Sequence, residues 1–305
     1  MEFKLEEDIN CKITLIVNGE EKGTATCYIE NTPKIDGKSI GCIGDFEACD
    51  KESGVALLNK CEEYLKEKGF EYIVAPMNGN TWKKYRTMKW TSGDDLFLLE
   101  NVNPIEDNEI LLDAGFEELH TYTSNKGLVE DAYKSEILDL ARENIKKQGI
   151  TIRKFDKSKA EDELKKIYNV SKESFARNPL YTPIDSDNFI KQYTDYIEMV
   201  DEDFILLAEK DGKEIGFVFC VPNFIELKMG KPLTTLILKT IAVLPEYEDL
   251  AIGNVLLDDI ANKAKEKNFK EWIFAFMYKN NTSQKMAKRN NAKPIREYAI
   301  YGKKI

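Results

Sequence analysis

Two periods of apolar spacing alternate along this chain, and the switches between them mark out its elements. The second half reads most clearly. "GITIRKFD" (residues 149–156) alternates as a strand, and "KAEDELKKIYNVSKESFA" then places Leu164, Ile167, Val170 and Phe175 at helical spacing. "NPLYTPIDSDNFIKQYTDYIEMV" opens with turn residues and predicts a second helix from about Ser186, a suitable N-cap. "DFILLAEKDGKEIGFVFCVPN" is a hairpin about Asp211-Gly212, and "TTLILKTIAV" a third long strand. After a short acidic turn, Ile252, Leu256, Ile260 and Ala264 recur every four residues on one helix face. "KEWIFAFMY" is a strand, "TSQKMAKRNNA" a short basic helix capped by Thr282 or Ser283, and "REYAIYGKKI" a final strand.

The first half repeats part of this order. "CKITLIVNGEEKGTATCYIEN" is a hairpin about Asn18-Gly19, and "GKSIGCIGDFEAC" is a strand. "SGVALLNKCEEYLKEKG" is a helix ending at Gly69, "FEYIVAPM" a strand, and "NEILLDAGFEELHTYTS" a helical turn followed by a strand. The leading helix pair of the second half has no counterpart here. Residues 129–148 read as a connecting helix, which sets the expected boundary near Gly149. Two domains, 1–149 and 150–305, are therefore expected. Each is of the α/β (α+β) class, a mixed, mostly antiparallel sheet flanked by helices.

Composition narrows the function classes. The 305 residues carry a net charge of −10, which argues against bulk binding to nucleic acid or to an anionic membrane. An anionic ligand would need a local site of amides or lysines. No apolar run reaches membrane-spanning length and the start "MEFKLEEDIN" is acidic, so neither a membrane segment nor a signal peptide is expected, and the location expected is cytoplasmic. Cys11, Cys27, Cys42, Cys49, Cys61 and Cys220 form no C-x-x-C pair and read as reduced thiols, mostly in apolar surroundings. His120 is the single histidine, in an alternating strand pattern, so a multi-histidine metal site is excluded and no metal is expected.

The segment richest in chemistry is "KTIAVLPEYEDLAIGNVLLDDI" (residues 239–260): a strand, a turn with the small residues Ala251 and Gly253, then a helix. Small residues there let backbone amides and the helix dipole approach a phosphate. With the later "WIFAFMYKNNTSQKMAKRNNA", this segment resembles the GNAT N-acetyltransferase superfamily, and the whole chain looks like a tandem arrangement of that fold. The resemblance covers residues 150–305 well and 10–125 more loosely.

In that family the turn is patterned Gln/Arg-x-x-Gly-x-Gly/Ala and holds the pyrophosphate of coenzyme A. Gly253 matches and Ala251 is a small substitute, whereas Glu248 stands in the Gln/Arg place and adds repulsion of ~1 kcal/mol. The resemblance implies acetyl-CoA as co-substrate. Its phosphates would lie on the amides of Ala251, Ile252, Gly253 and Asn254. Its pantetheine arm would pair with the strand edge at Ile241, Ala242 and Val243, beside Asn280 and Ser283. The counterpart loop of the first half, "DFEACDKESGVALL", is acidic and lacks paired small residues, so that half is expected to be a structural or substrate-shaping copy.

The customary tyrosine of the family would fall at Ala287 and is absent. Tyr278, at the end of the preceding strand, is the candidate general acid. Glu226, in the loop before the fourth strand, is the candidate base, with a water relay as the alternative. Phe175 and Tyr181 lie where acceptor recognition is expected; Tyr181 reads equally well as a pocket wall or as packing. The function expected is acyl-CoA-dependent N-acyl transfer to a small-molecule or peptide amine, by a monomer or homodimer. A catalytically silent, ligand-binding descendant of the fold is the alternative.

Overall fold

The computed structural model describes residues 1–305, the side chain of Asp195 excepted. The first half supplies β1 (Glu2–Glu7), β2 (Cys11–Val17), β3 (Glu20–Tyr28), a separate small hairpin of β4 (Lys34–Ile35) and β5 (Lys38–Ser39), β6 (Gly41–Ala48), α1 (Lys51–Glu67), β7 (Tyr72–Ala75), β8 (Thr87–Thr91), α2 (Asp107–Asp113) and β9 (Glu117–Leu128). Helix α3 (Glu136–Lys147) connects the halves. The second half supplies β10 (Thr151–Lys154), α4 (Ala160–Ser174), α5 (Ser186–Met199), β11 (Ile205–Lys210), β12 (Lys213–Pro222), α6 (Ile225–Lys228), β13 (Thr235–Val243), α7 (Ile252–Glu266), β14 (Glu271–Tyr278), α8 (Thr282–Arg289) and β15 (Lys293–Lys304).

Local chemistry explains most of these elements. Asn18-Gly19 and Asp211-Gly212 both take positive φ at successive residues, the backbone a two-residue hairpin loop needs. Ile252, Leu256, Ile260 and Ala264 are all fully buried, so the four-residue spacing does mark the face that α7 lays on the sheet. Two caps differ from expectation. Asp185, not Ser186, accepts from the Asn188 amide to start α5, and Asn281, not Thr282 or Ser283, caps α8. In each case the residue one earlier has the extended backbone from which an N-cap side chain reaches back. Strand β1 escapes the apolar pattern because it is an edge strand whose "EFKLEE" is almost wholly exposed.

The two halves share one continuous sheet, in the order β1-β2-β3-β6-β7-β15-β9-β14-β13-β12-β11-β10, with β8 paired to β15. All neighbours are antiparallel except β6 with β7 and β13 with β14. A helix lies between the strands of each parallel pair, α1 in the first half and α7 in the second, which is the internal repeat seen in three dimensions. The centre of the sheet is crossed over. Strand β9 comes from the first half but pairs with β14 of the second, while β15, the last strand of the chain, pairs with β7 of the first. The two exchanged strands also pair with each other, Glu297 opposite Thr123 and Ile300 opposite His120.

The apolar layers follow this division. Ile13, Leu57, Ile73 and Phe116 pack under α1 and α2, and Tyr301 of β15 joins them. Leu164, Phe217, Leu256 and Trp272 pack among α4, α7 and the second-half strands. Cys49 is exposed and the other five cysteines are buried, all six as free thiols. No helix among the described residues is long and apolar enough to cross a membrane.

Candidate active-site cleft

Strands β13 and β14 pair only from Thr235 to Leu238 and from Glu271 to Phe274; beyond that they part. Both backbones are irregular at the parting. Lys239 is the extra residue of a bulge against β12, and Ala275 and Phe276 form one against β9, with Phe276 at φ 55°. The Phe276 amide, lost to the ladder, donates to Ser124 Oγ at 3.0 Å. A cleft of about 740 Å³ opens in the gap.

Five residues anticipated from the sequence line this cleft: Ile241, Tyr278, Ser283, Phe175 and Tyr181. The Ser283 hydroxyl is buried without a hydrogen-bond partner. Asn280 is exposed beside it and its amide donates to the Tyr278 hydroxyl at 3.4 Å. Tyr278 is half-buried, its ring 5.7 Å from that of Tyr122 and 5.5 Å from that of His120. Burial lowers the His120 pKa, so this imidazole is neutral near pH 7.

Behind Ile241, Ala242 and Val243 pair with Phe217 and Gly216 of β12 on one side, and the Val243 carbonyl accepts from Ser174 Oγ at 3.0 Å. Helix α7 meets the cleft wall through Gly253. A side chain there would have Ile241, Met286 and Val243 as neighbours no nearer than 3.7 Å, so the position is open. Ala251 takes the left-handed conformation, φ 58°, and its carbonyl accepts from the amides of Asn254 and Val255. Among the described residues no side chain caps α7, which leaves the amides of Ile252 and Gly253 without acceptors.

The corresponding helix of the first half is closed to an anion. Asp50 caps α1 by accepting from the Ser53 amide at 2.8 Å, so the protein's own carboxylate sits at the helix start and takes one of the amides that a phosphate would need. Glu248, by contrast, is exposed on the turn before α7.

Glu226 is a correction. It does not line the cleft but sits at the opposite end of β13, where it accepts from the amides of Thr234 and Thr235 at 2.9 and 3.0 Å and from the Thr235 hydroxyl at 2.6 Å. Its oxygens are committed to holding the start of the strand. Ala287 is fully buried in the core and faces no solvent.

The opposite wall was not anticipated. It comes from the first half: Trp82, Tyr85, Arg86, Glu100 and Tyr122 all line the cleft. Trp82 donates its indole N–H to the Thr182 carbonyl at 2.7 Å, and its ring lies edge-on to Tyr181 and Phe189, tying the 80–86 loop to the segment between α4 and α5. Glu100 is buried against Arg296 at 2.8 Å and accepts from the Tyr298 hydroxyl at 2.7 Å. Lys239, re-aimed by its bulge, donates to the Tyr193 hydroxyl at 2.7 Å. The dense run "NTWKKYRTMKW" of aromatic and basic residues was the signal available in the sequence.

A smaller cavity of about 180 Å³ lies between β6 and the 84–87 segment, lined in part by Asp107. Burial pushes the Asp107 carboxyl up to about 6. Its folded-state pKa lies above the unfolded value of about 3.9, so the native state holds the proton more tightly. Stability should therefore fall as pH rises between these two values, and Asp107→Asn should flatten that slope. The gain at pH 7 should be of order 1 kcal/mol, discounted for partial exposure. Denaturant midpoints at pH 4 and pH 7 for the two proteins check this; parallel profiles would mean that Asp107 titrates normally.

Comparison with known proteins agrees with this geometry. Residues 164–291 match the model of the acetyltransferase (GNAT) family. A bacterial ceramide synthase from Caulobacter vibrioides is 20% identical over 214 residues, covering 67% of this chain and 54% of that protein. An uncharacterized N-acetyltransferase from Archaeoglobus fulgidus is 31% identical over 81 residues, covering 27% of this chain and 54% of that one. The matches thus span about half the length of each of these relatives. Among solved structures, a tandem GNAT protein from the clavulanic acid biosynthesis pathway superimposes over 97% of this chain and 82% of its own, with a TM-score of 0.52 at 10% identity, a likeness of fold.

Proposed function

We propose that this chain, whose residues 164–291 match the model of the acetyltransferase (GNAT) family, transfers an acetyl group from acetyl-CoA to an amine held in the cleft between β13 and β14. One observation carries the reading: the strands part beside an uncapped helix start on one side and a tyrosine on the other. Several unsatisfied groups in this chain suit a pantetheine arm and a pyrophosphate. The amides of Ile252 and Gly253 lack acceptors, the Ser283 hydroxyl lacks a partner, and the inner edge of β13 beyond Leu238 lacks a neighbouring strand.

Acetyl-CoA supplies the activated acyl group. The amine nitrogen forms a bond to the thioester carbonyl carbon, the carbon–sulfur bond breaks, and the sulfur leaves as a thiolate. Tyr278, at the cleft wall, hands its hydroxyl proton to that sulfur and regains one from water before the next turnover. The proton released by the amine passes to water in the open cleft, since the oxygens of Glu226 are bound elsewhere. Ile241 and the aromatic walls keep the thioester in apolar surroundings. The first half contributes no second coenzyme site, because Asp50 already caps α1.

Calorimetry with acetyl-CoA and with free coenzyme A tests the reading, with one site per chain expected. Gly253→Val sharpens it. The open position should accept the branched side chain without disturbing α7, while its methyl groups cover the amides. Affinity for acetyl-CoA should drop by about tenfold or more, the loss of one or two charge-assisted hydrogen bonds. Undiminished binding by Gly253→Val would move the site elsewhere.

A further inference from the structure

Arg86 stands out among the charged groups of the cleft because it is half-buried and, among the described residues, has no ion-pair partner, whereas the unpaired Lys83 and Lys84 are exposed. It lies in the loop before β8, its backbone is left-handed, φ 68°, and its side chain lines the cleft. The guanidinium lies among three aromatic rings, 4.0 Å from the centre of Tyr85, 4.4 Å from Phe276 and 4.8 Å from Tyr122. Among the described residues no carboxylate lies within ion-pair distance of it. Its Nε is buried without an acceptor, and its single hydrogen bond is a long one, 3.5 Å from Nη1 to the Phe276 carbonyl.

Apart from the solvent-exposed Lys83 and Lys84, the other charges of the cleft are spoken for. Glu100 is held by Arg296 and Tyr298, and Lys239 by the Tyr193 hydroxyl. An arginine offers five donors in a flat fork, and leaving most of them unmet in a half-buried aromatic setting is costly unless a ligand meets them. The three rings hold the fork in place, so little is lost on binding.

Position separates this group from the proposed coenzyme site. Helix α7 reaches the cleft through Ile241 and Val243 on the β13 side, whereas Arg86 lies over Phe276 of β14, on the opposite wall. We infer that Arg86 binds a carboxylate on the acceptor, so that the acceptor is an amino acid carrying its amine and its acid on one small frame. A single guanidinium with aromatic walls matches one planar, singly charged group better than a phosphate dianion. The identity of this ligand as acceptor rests on the acyl-transfer reading; the anion site itself does not. The degenerate half of the chain thereby supplies specificity to the other.

The test uses the full chain with the standard L-amino acids and their carboxamides, read by two independent measurements. Binding is followed by calorimetry without coenzyme, and turnover by thiol release from acetyl-CoA. At least one amino acid should bind, and its carboxamide should be about 10²-fold poorer in kcat/KM, the effect of a bidentate charge-assisted contact. In Arg86→Gln the ratio of acid to amide should collapse toward one, and Arg86→Lys should restore part of it.

Amides used as well as acids would overturn the inference while leaving acyl transfer standing. So would an acid preference that survives Arg86→Gln. Acids that bind through Arg86 but are never acetylated would sustain the anion site and sink the acyl-transfer reading instead. No binding by any amino acid would overturn it, as would O-phosphoethanolamine outcompeting every carboxylate. Weaker coenzyme binding in Arg86→Gln with no acid preference in the wild type would assign the arginine to the coenzyme.

Discussion

Tyr278→Phe should lower kcat by about 10²–10⁴ while leaving the affinity for acetyl-CoA nearly unchanged. The substitution removes one oxygen. The ring keeps its packing against Tyr122 and His120, so the fold has no reason to respond. The oxygen it removes faces the cleft beside Asn280 and Ser283, where the leaving sulfur is proposed to pass. Its neighbours are poorer donors: Ala287 is buried in the core, the His120 imidazole is neutral, and burial pushes the Tyr122 hydroxyl up, making it a weaker acid. Single-turnover kinetics with saturating acetyl-CoA would separate chemistry from binding. A variant of full rate would take Tyr278 out of the proton path.

Glu100→Ala should be the most destabilising of the substitutions considered, by ~3–5 kcal/mol, the usual cost of stranding a buried charge. Glu100 and Arg296 have side chains only 1% and 2% exposed, and they join the loop after β8 to the last strand. With the carboxylate gone, Arg296 keeps its bonds to the carbonyls of Asp94, Asp95 and Ile295 but loses its counter-charge. The Tyr298 hydroxyl loses its acceptor as well. Replacing both partners with apolar residues, as in Glu100→Met with Arg296→Leu, should recover most of the loss, because the cost lies in the unpaired charge. Denaturant melts of the single and double variants would decide it. A single variant within 1 kcal/mol of wild type would show that water reaches Arg296 through the cleft.

The elements that the sequence disclosed are those with local causes. Asn18-Gly19 and Asp211-Gly212 set their hairpins through backbone conformation alone, and α7 declares its buried face every four residues. Strands β9 and β15 were visible as strands but not in their places. Their exchange depends on which edges are free when the halves meet, and a strand carries the same alternation whichever neighbour it takes. The same limit applied to the cleft. Ile241, Tyr278 and Ser283 sit on the elements that form it and were found, whereas Arg86 and Glu100 arrive from loops far away in the chain. Glu226 misled because an acid close to a strand in sequence can serve either end of it. The adjacent Thr234-Thr235, which offers two amides and two hydroxyls, marked the end it does serve.

The crossed centre of the sheet sets a timetable for the chain on the ribosome. Strand β9 (Glu117–Leu128) is made well before its partners β14 (Glu271–Tyr278) and β15 (Lys293–Lys304). At ordinary elongation speeds β9 waits on the order of ten seconds or more with both edges bare. Strand β7 likewise waits until β15 emerges. The nascent first half is thus an unfinished sheet in need of shelter, and the emergence of β15 is the event that closes both halves at once. A ribosome stalled just short of β15 would hold a protein with neither half complete, and protease digestion of such stalled chains would find β9 and β7 open to cleavage. Protection of either strand before β15 has been made would show that the seam can close by another route.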